Sequence, residues 1–226
     1  MQPIKLLYLV VVISVNFPVF SQSQTGMDVR DHMLIKMTKE YDHSVKEFEG
    51  SPFLNEQFVQ GQVFTSGKHY TAVPLRYNIF NDQMEFRQND LTYALYPGER
   101  IQKVILADET YVAEKYEIHG KMDYGYFTRL DSGKLTVLAK KVVRFTDKQE
   151  AKALESSNKP AKFTRAADLY YYKIGSGGII KAGSLKNLIE NLPDHKADVE
   201  SYAKKEKLST RNAEDLAKLA AYYNSL

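Results

Sequence analysis

The sequence predicts a mainly β protein, an antiparallel meander folded as a barrel, roll or sandwich, with α-helices at its C-terminus. Apolar and polar residues alternate with a period of two from about residue 57 to residue 146, which is typical of strands. Turn signals interrupt this stretch about every 8–12 residues, and a helical period follows from residue 184. Because strands come first and helices afterwards, we expect an α+β arrangement and not a parallel α/β sheet.

Five turn signals divide the β-rich stretch into its predicted strands. They are Ser66-Gly67, Asn81-Asp82, Pro97-Gly98, Asp108-Glu109 and Asp131–Lys134. The last is the clearest, because aromatic and β-branched residues, which favour strands, flank it on both sides.

Two polar stretches border these strands. Residues 22–50 fit either a helix or a leading strand. Residues 147–166 are polar and lysine-rich, and they predict an exposed loop with at most one helical turn.

A glycine-rich stretch near the end of the β part, "YYYKIGSGGIIKAGS", resembles a phosphate-binding loop at first sight. A dinucleotide-binding loop would need a third glycine where Ile180 stands. A P-loop would need lysine at Ser184, after the glycines at 178 and 183. The stretch therefore predicts a hairpin turn, in which glycine supplies positive φ angles, and a short second strand.

The C-terminal residues have the spacing of amphipathic helices. Leu185, Leu188, Ile189 and Leu192 fall on one face, with Ser184 as the expected N-cap. Pro193 ends this helix and Asp194 is expected to cap a second. A last helix over "AEDLAKLAAYYNSL" follows an expected cap at Ser209 or Thr210, and acidic residues in its first turn suit its positive end.

The N-terminus has the layout of a secretory signal peptide. One positive charge at Lys5 precedes an apolar run over residues 6–17, and Val19 and Ser21 occupy the −3 and −1 positions of a cleavage site. The run is too short to span a bilayer, which needs about 20 residues. We therefore expect a signal peptide over 1–21, a mainly β domain over 22–183 and a helical segment over 184–226 packed on it. No transmembrane segment is expected after cleavage.

Composition limits the partners and chemistry that we expect. The net charge of +3 is small, so the chain lacks the basic character typical of nucleic-acid binding. The chain has no cysteine, and its five histidines lack the spacing of metal-binding motifs. We therefore expect neither a metal nor another cofactor.

The sequence contains no catalytic signature. Ser176 lies between two glycines, but Ile174 replaces the first glycine of a nucleophile elbow. A serine, histidine and carboxylate brought together from distant positions would still give a hydrolase, because geometry and not chain order defines a triad. The enzymatic alternative therefore stays open, although a non-enzymatic role is preferred.

Weak candidates for ligand binding lie in two places. The segment "LRYNIFND" places Arg76, Tyr77, Asn78 and Asp82 near one turn. The simpler interpretation is Asn and Asp turn chemistry together with an arginine–carboxylate pair. Tyr171 points to the opposite sheet face from its two neighbouring tyrosines. The many strand tyrosines pack sheets in the simpler interpretation, and line an aromatic groove in the functional one.

Four segments together resemble exported proteins of unknown function that are common in Bacteroidota. They are "GSPFLNEQF", "LRYN" followed by "DQMEF", "YFTRLDSGKLTVLAK" and "EDLAKLAAYYN". The resemblance covers most of the chain after the signal peptide. It implies a Gram-negative envelope setting, in the periplasm, at the outer membrane or outside the cell, and it implies nothing about catalysis.

Three functions remain open from the sequence. The preferred one is a non-enzymatic envelope protein that binds a protein partner through its sheet surface or its charged helices. The alternative is a carrier whose barrel-like interior holds an apolar or aromatic ligand. The third is a hydrolase with dispersed catalytic residues.

Overall fold

The computed structural model describes residues 24–25, 35–37, 48–118, 120–150 and 158–226, the first two ranges as backbone only. The expected signal peptide, residues 1–21, lies outside the described residues, and so does most of the segment that fitted either a helix or a strand.

Fifteen strands and three helices make up the described part of the chain. The strands are β1 (Gln24–Thr25), β2 (Ile35–Met37), β3 (Phe48–Glu49), β4 (Val59–Thr65), β5 (His69–Asn78), β6 (Gln83–Gln88), β7 (Leu91–Leu95), β8 (Ile101–Leu106), β9 (Glu109–Ile118), β10 (Lys121–Asp131), β11 (Leu135–Lys140), β12 (Val143–Thr146), β13 (Ala161–Arg165), β14 (Leu169–Ile174) and β15 (Ile180–Lys181). The helices are α1 (Leu185–Asn191), α2 (Lys196–Lys205) and α3 (Ala213–Ser225).

Twelve of these strands form one sheet in the order β15-β14-β11-β10-β9-β8-β4-β5-β6-β7-β2, with β1 added to β5. All pairs along this order are antiparallel, and only β1 is parallel to its neighbour. The sheet curls into a half-barrel. Register shifts after Gly61 in β4 and after Arg129 in β10 bend these strands, as β-bulges do. The prediction of a mainly β fold with C-terminal helices is confirmed.

One face of the curled sheet is filled by large apolar side chains. They come from β4 to β10 and from the turn after β5. The buried cluster consists of Val63, Tyr70, Val73, Leu75, Tyr77, Ile79, Met84, Phe86, Tyr93, Leu95, Ile101, Val104, Leu106, Tyr111 and Tyr126. Tyrosine rings therefore pack much of the interior, and the hydroxyl of Tyr126 crosses it to donate to the carbonyl of Leu95.

The helices cover the β11–β14 end of the sheet. Their apolar faces meet Leu135, Val137 and Tyr172 in a second buried cluster. Ser184 caps α1 as predicted, because its hydroxyl accepts from the amide of Asn187.

The predicted caps of α2 and α3 are wrong. His195, in a left-handed conformation, occupies the N-cap of α2, and the Asp194 carboxylate binds the hydroxyl of Tyr223 instead. Asn212 caps α3, where its side chain accepts from the amide of Asp215.

A separate three-stranded sheet has the order β12-β13-β3. It corrects the prediction of an exposed loop over residues 147–166, because Ala161–Arg165 form β13 and Phe163 is buried. A single apolar residue in a polar run gives too weak a period-two signal to indicate a strand. Residues 151–157 lie outside the described part.

Among the described residues, no helix has the length and apolar character needed to cross a bilayer.

Candidate functional site: a polar network and the surfaces beside it

The turn between β5 and β6 carries one of the five sequence candidates, Asp82, and a second, Asn78, ends the strand before it. The side chain of Asn78 accepts from the amide of Asn81 at 3.0 Å, which is the expected asparagine turn chemistry. The amides of Ile79 and Phe80 both donate to the carbonyl of Pro52, at 2.9 and 3.2 Å. Asp82 has a φ of 52°, a left-handed conformation that aspartate tolerates better than most residues. The turn is thus fixed by its own side chains and by the segment before β4.

Arg76 and Asn78 both bind the carboxylate of Glu85, which is buried. Because Arg76 lies directly opposite Glu85 in the β5–β6 register, the guanidinium reaches the carboxylate at 2.7 Å. Asn78 donates to the other carboxylate oxygen at 3.1 Å. The guanidinium also stacks over the rings of Phe53 and Phe58, at 3.9 and 4.5 Å from their centroids. Both charges are therefore held inside the protein by specific contacts.

Tyr77 and Asp82 belong to a second group, centred on Lys140 of β11. The hydroxyl of Tyr77 donates to Asp82 Oδ1 at 2.6 Å, and Lys140 forms an ion pair with Asp82 Oδ2. Asp82 Oδ1 also accepts from the amide of Tyr126 at 3.3 Å, and Lys140 Nζ donates to the carbonyl of Tyr126 at 3.0 Å. One carboxylate thus joins the β5–β6 turn to β10 and β11.

Burial governs the electrostatics of this second group. It lowers the pKa of Lys140, although the neighbouring Asp82 carboxylate opposes that shift. Burial also raises the pKa of Tyr77, and Asp82 raises it further through its charge and its hydrogen bond. The pKa of Tyr126 is raised for the same two reasons, burial first and the Asp82 charge second. Both tyrosines therefore stay protonated at neutral pH and act as neutral members of the network.

Tyr171 lies on the opposite face of the sheet from Tyr172, as strand alternation predicts. Its ring packs edge-on against Phe127 at 5.2 Å and lies 6.1 Å from the ring of Tyr116. The ammonium of Lys140 lies over these same two rings, at 5.0 and 5.3 Å from their centroids. Tyr171 is thus buried beside the network and contributes apolar packing, while its neighbour Tyr172 packs under the helices.

The structure therefore brings the five candidates into one continuous region, and it adds three residues that sequence reasoning missed. Glu85 is detectable in retrospect, since a hairpin turning at Asn81-Asp82 places it opposite Arg76. Lys140 pairs with a residue 58 positions earlier, which no local pattern indicates. Gly125 is the third, because a Cβ there would lie 2.5–2.9 Å from atoms of Tyr116, Asp82 and Lys140.

No group of three or more metal-ligating side chains occurs among the described residues. His69 bonds to Gln62 Oε1 at 2.9 Å and stacks on Phe64, so its ring faces an amide and not a carboxylate. His119 lies outside the described part. The glycine stretch forms the β14–β15 turn, as predicted, with a positive φ of 54° at Gly175.

A partly exposed cluster of phenylalanines adjoins the network. Phe163 lies at its centre, 4.7 Å from the ring of Phe145 and 5.1 Å from the rings of Phe48 and Phe80. Phe80 belongs to the same turn as Asp82, and the other three come from the three-stranded sheet. Phe80 is 44% exposed and Phe145 is 39% exposed. These four residues are called the phenylalanine cluster below.

A groove of about 290 Å³ lies between α1 and α2. Leu185 and Ile189 line it together with Lys186, Glu190, Glu200 and Lys204. Its charges pair within each helix, between residues four apart: Lys186 with Glu190 at 3.7 Å, and Lys204 with Glu200 at 2.6 Å. The rim is therefore electrically balanced and presents no single sign of charge to a ligand.

Comparison with known proteins gives no relative for this chain. No family model, no curated protein and no solved structure matches it.

Proposed function

We propose that this chain is a non-enzymatic protein exported to the cell envelope, where it binds a protein partner through the phenylalanine cluster. The layout of its N-terminus favours export, and its resemblance to exported Bacteroidota proteins favours an envelope setting. Binding is the role that the described surfaces support best.

One observation carries the proposal: the polar candidates are engaged inside the protein while aromatic surface stays exposed beside them. The charges of Arg76 and Asp82 are paired with Glu85 and Lys140. Phe80 and Phe145 instead present large parts of their rings to solvent, 6.1 Å apart. Aromatic residues are enriched at protein interfaces, and a contiguous exposed apolar patch usually marks an interaction site. A partner segment with apolar side chains fits this surface.

The carrier and hydrolase alternatives find less support in the described residues. A carrier needs an apolar cavity for its ligand, but fifteen buried side chains pack against one another in the main cluster of the sheet. A hydrolase needs a nucleophile beside a base, whereas His69 is engaged with Gln62 and Phe64.

Affinity capture from the native envelope tests the proposed function with a matched set of variants. The double variant Phe80→Ser/Phe145→Ser removes the exposed rings, and Leu91→Ser is the control because Leu91 is also 44% exposed, on the β6–β7 hairpin. We expect the wild type and the control to retain the same envelope protein, and the double variant to lose it. Circular dichroism spectra would establish that all three proteins are folded.

Two results would contradict the proposed function. One is the absence of any captured protein above background. The other is capture that the double variant retains at full strength, since the phenylalanine cluster would then play no part in binding.

A further inference from the structure

The tip of the β9–β10 hairpin carries a strand edge with no neighbouring strand in the described part of the chain. β9 and β10 pair continuously from Lys121 opposite Ile118 to Thr128 opposite Tyr111. β11 pairs with β10 only from Thr128 onward. Among the described residues, the edge of β10 before Thr128 therefore has no strand beside it, and the ion pair of Asp82 with Lys140 closes it at Tyr126.

The backbone groups that face this open edge follow from strand alternation. In an antiparallel ladder, successive residues direct their N–H and C=O groups to opposite sides. Tyr126 directs its groups outward, to Asp82 and Lys140, and the register with β9 is unbroken. The backbone N–H and C=O groups of Tyr124 and Met122 therefore face outward as well. Met122 is 66% exposed, the largest exposure among the described large apolar side chains.

We propose that this edge pairs with the same edge of a second copy of the chain, antiparallel and centred on Met122. In this register Met122 lies opposite Met122 of the partner copy, and their outward backbone groups bond to each other. Lys121 then lies opposite Asp123 of the other copy, and Asp123 opposite its Lys121. Two-fold symmetry thus makes each edge complementary to itself.

Charge selects this register over its neighbours. Centring on Asp123 places two aspartates opposite each other, and centring on Lys121 places two lysines opposite each other. Like charges directly opposite are destabilising, whereas opposite charges stabilise a strand pair. Centring on Tyr124 would require the groups of Tyr126, which Asp82 and Lys140 already occupy. The Met122 register is the one that combines outward backbone groups with opposite charges.

The proposed pairing also uses the closer side-chain geometry. Lys121 and Asp123 direct their backbone groups to β9, so across the new interface they form a non-hydrogen-bonded pair, with Cα atoms about 4.5 Å apart. In the single chain, Asp123 Oδ1 accepts from the amide of Tyr124 at 2.7 Å. On pairing, that amide donates to the carbonyl of Gly120 in the other copy, and the carboxylate turns to Lys121.

The interface is small, so the dimer is concentration-dependent. A ladder of five residues from each copy buries less surface than the roughly 1,200 Å² that stable complexes bury. Analytical ultracentrifugation over micromolar to millimolar concentrations is therefore the suitable measurement. The mature chain is expected to shift from monomer to dimer across this range.

Charge reversal tests both the partner and the register. Lys121→Glu and Asp123→Lys each turn two attractive pairs into repulsive ones, and each should weaken dimerisation roughly tenfold. The double variant Lys121→Asp/Asp123→Lys restores opposite charges and should recover wild-type association. A mixture of Lys121→Glu with Asp123→Lys should form a heterodimer, because all of its facing charges are opposite.

A single cysteine provides an independent measurement of the register. The natural chain has no cysteine, so Met122→Cys places one thiol at the two-fold axis. Facing residues of a hydrogen-bonded pair have Cα atoms about 5.5 Å apart, a separation that a disulfide bridges. Mild oxidation should give a covalent dimer of Met122→Cys, whereas the control Leu91→Cys, whose thiol is also exposed but lies away from the two-fold axis, should form no disulfide-linked dimer.

Three results would overturn the proposed pairing. The first is a wild-type protein that stays monomeric up to millimolar concentration. The second is self-association that neither charge reversal weakens. The third is a photo-crosslinker at position 122 that captures other envelope proteins and never a second copy, which would assign this edge to a different partner. None of these results bears on the phenylalanine cluster, which lies on the β5–β6 turn and the three-stranded sheet.

Discussion

Asp82 and Lys140 together satisfy both backbone groups of Tyr126. Asp82 Oδ1 accepts from its amide at 3.3 Å, Lys140 Nζ donates to its carbonyl at 3.0 Å, and the two side chains form an ion pair. Since β11 pairs with β10 only from Thr128 onward, these side chains take the place of a neighbouring strand. The ion pair thus joins the β5–β6 turn to the far side of the curled sheet.

Removing one member of this pair should be strongly destabilising. Asp82→Asn leaves the buried ammonium of Lys140 without its counterion, and we expect a loss of about 2–4 kcal/mol in the free energy of unfolding. Lys140→Met keeps the side-chain volume and leaves the Tyr126 carbonyl unpaired, with an expected loss of about 1–3 kcal/mol. Urea denaturation monitored by circular dichroism measures both values.

The double variant Asp82→Asn/Lys140→Met separates the pair from its surroundings. Because each single variant already breaks the same interaction, the double variant should lose about 1–3 kcal/mol less than the sum of the single losses. Glu214→Gln, in the exposed pair of Glu214 with Lys218, is the control and should change stability little. Fully additive losses would mean that Asp82 and Lys140 act independently.

Gly125 provides the space in which this ion pair lies. A Cβ at this position would lie 2.5 Å from Tyr116 Cε1, 2.8 Å from Asp82 Oδ2 and 2.9 Å from Lys140 Nζ. Gly125→Ala should therefore displace the pair and lower the free energy of unfolding by about 1–3 kcal/mol, as overpacking does. Thermal and urea denaturation measure the change.

Gly67→Ala is the matched control for this substitution. No atom outside the immediate chain lies within 4 Å of a Cβ at Gly67, so this variant should be neutral or slightly stabilising. If Gly125→Ala were as stable as Gly67→Ala, the space at Gly125 would have no structural importance.

Local chemistry explains which parts of the fold the sequence could predict. Turns such as Asn81-Asp82 and Asp131–Lys134 were predictable, because their residue types determine their conformation. The N-cap at Ser184 was predictable for the same reason. The caps of α2 and α3 were not, since Asp194 is drawn to Tyr223 and the hydroxyl of Thr210 to the carbonyl of Gly183. Tertiary partners here override a local preference.

The network could be predicted only as far as its contacts are local. A pairing of Arg76 with a carboxylate followed from the hairpin pattern, although its partner Glu85 was not named. The joining of Asp82 to Lys140 depends on how the sheet curls, and curvature is a property of the whole sheet that no short segment encodes. Strand β13 was missed because its burial depends on one residue, Phe163, packing with aromatic rings from three other segments.

Asn224 attaches the last helix to the sheet. Its side chain accepts from the amide of Leu135 at 2.8 Å and donates to the carbonyl of the same residue at 2.9 Å, as a paired strand would. Asn224→Ala leaves both groups without this partner, and we expect a loss of about 1–3 kcal/mol in the free energy of unfolding.

Asn224→Asp is the informative companion variant, because it keeps the acceptor for the Leu135 amide and loses the donor. At neutral pH its stability should fall at least as far as that of Asn224→Ala, because one carboxylate oxygen then faces the carbonyl of Leu135 and the charge lies in the last turn of α3, where a negative charge is unfavourable. Limited proteolysis should also cut α3 faster in the alanine variant than in the wild type. Equal stability of all three proteins would mean that α3 is held by its apolar face alone.

The hydrogen bond from Tyr223 to Asp194 should make stability depend on alkaline pH. Burial raises the pKa of Tyr223 to about 12, and the hydrogen bond to Asp194 contributes in the same direction. The folded state holds this proton more tightly than the unfolded chain, in which the pKa of the tyrosine is near 10. The stabilisation is therefore complete below pH 10 and is lost as the pH rises toward 12.

Tyr223→Phe tests this pH dependence, because it removes the titrating hydroxyl. The free energy of unfolding of the wild type should therefore exceed that of Tyr223→Phe most at pH 8, and the difference should shrink above pH 10. Lys140 and the other buried tyrosines are common to both proteins, so their titration cancels in this difference. Urea denaturation at a series of pH values measures it, and a difference that stays constant from pH 8 to pH 12 would exclude this assignment.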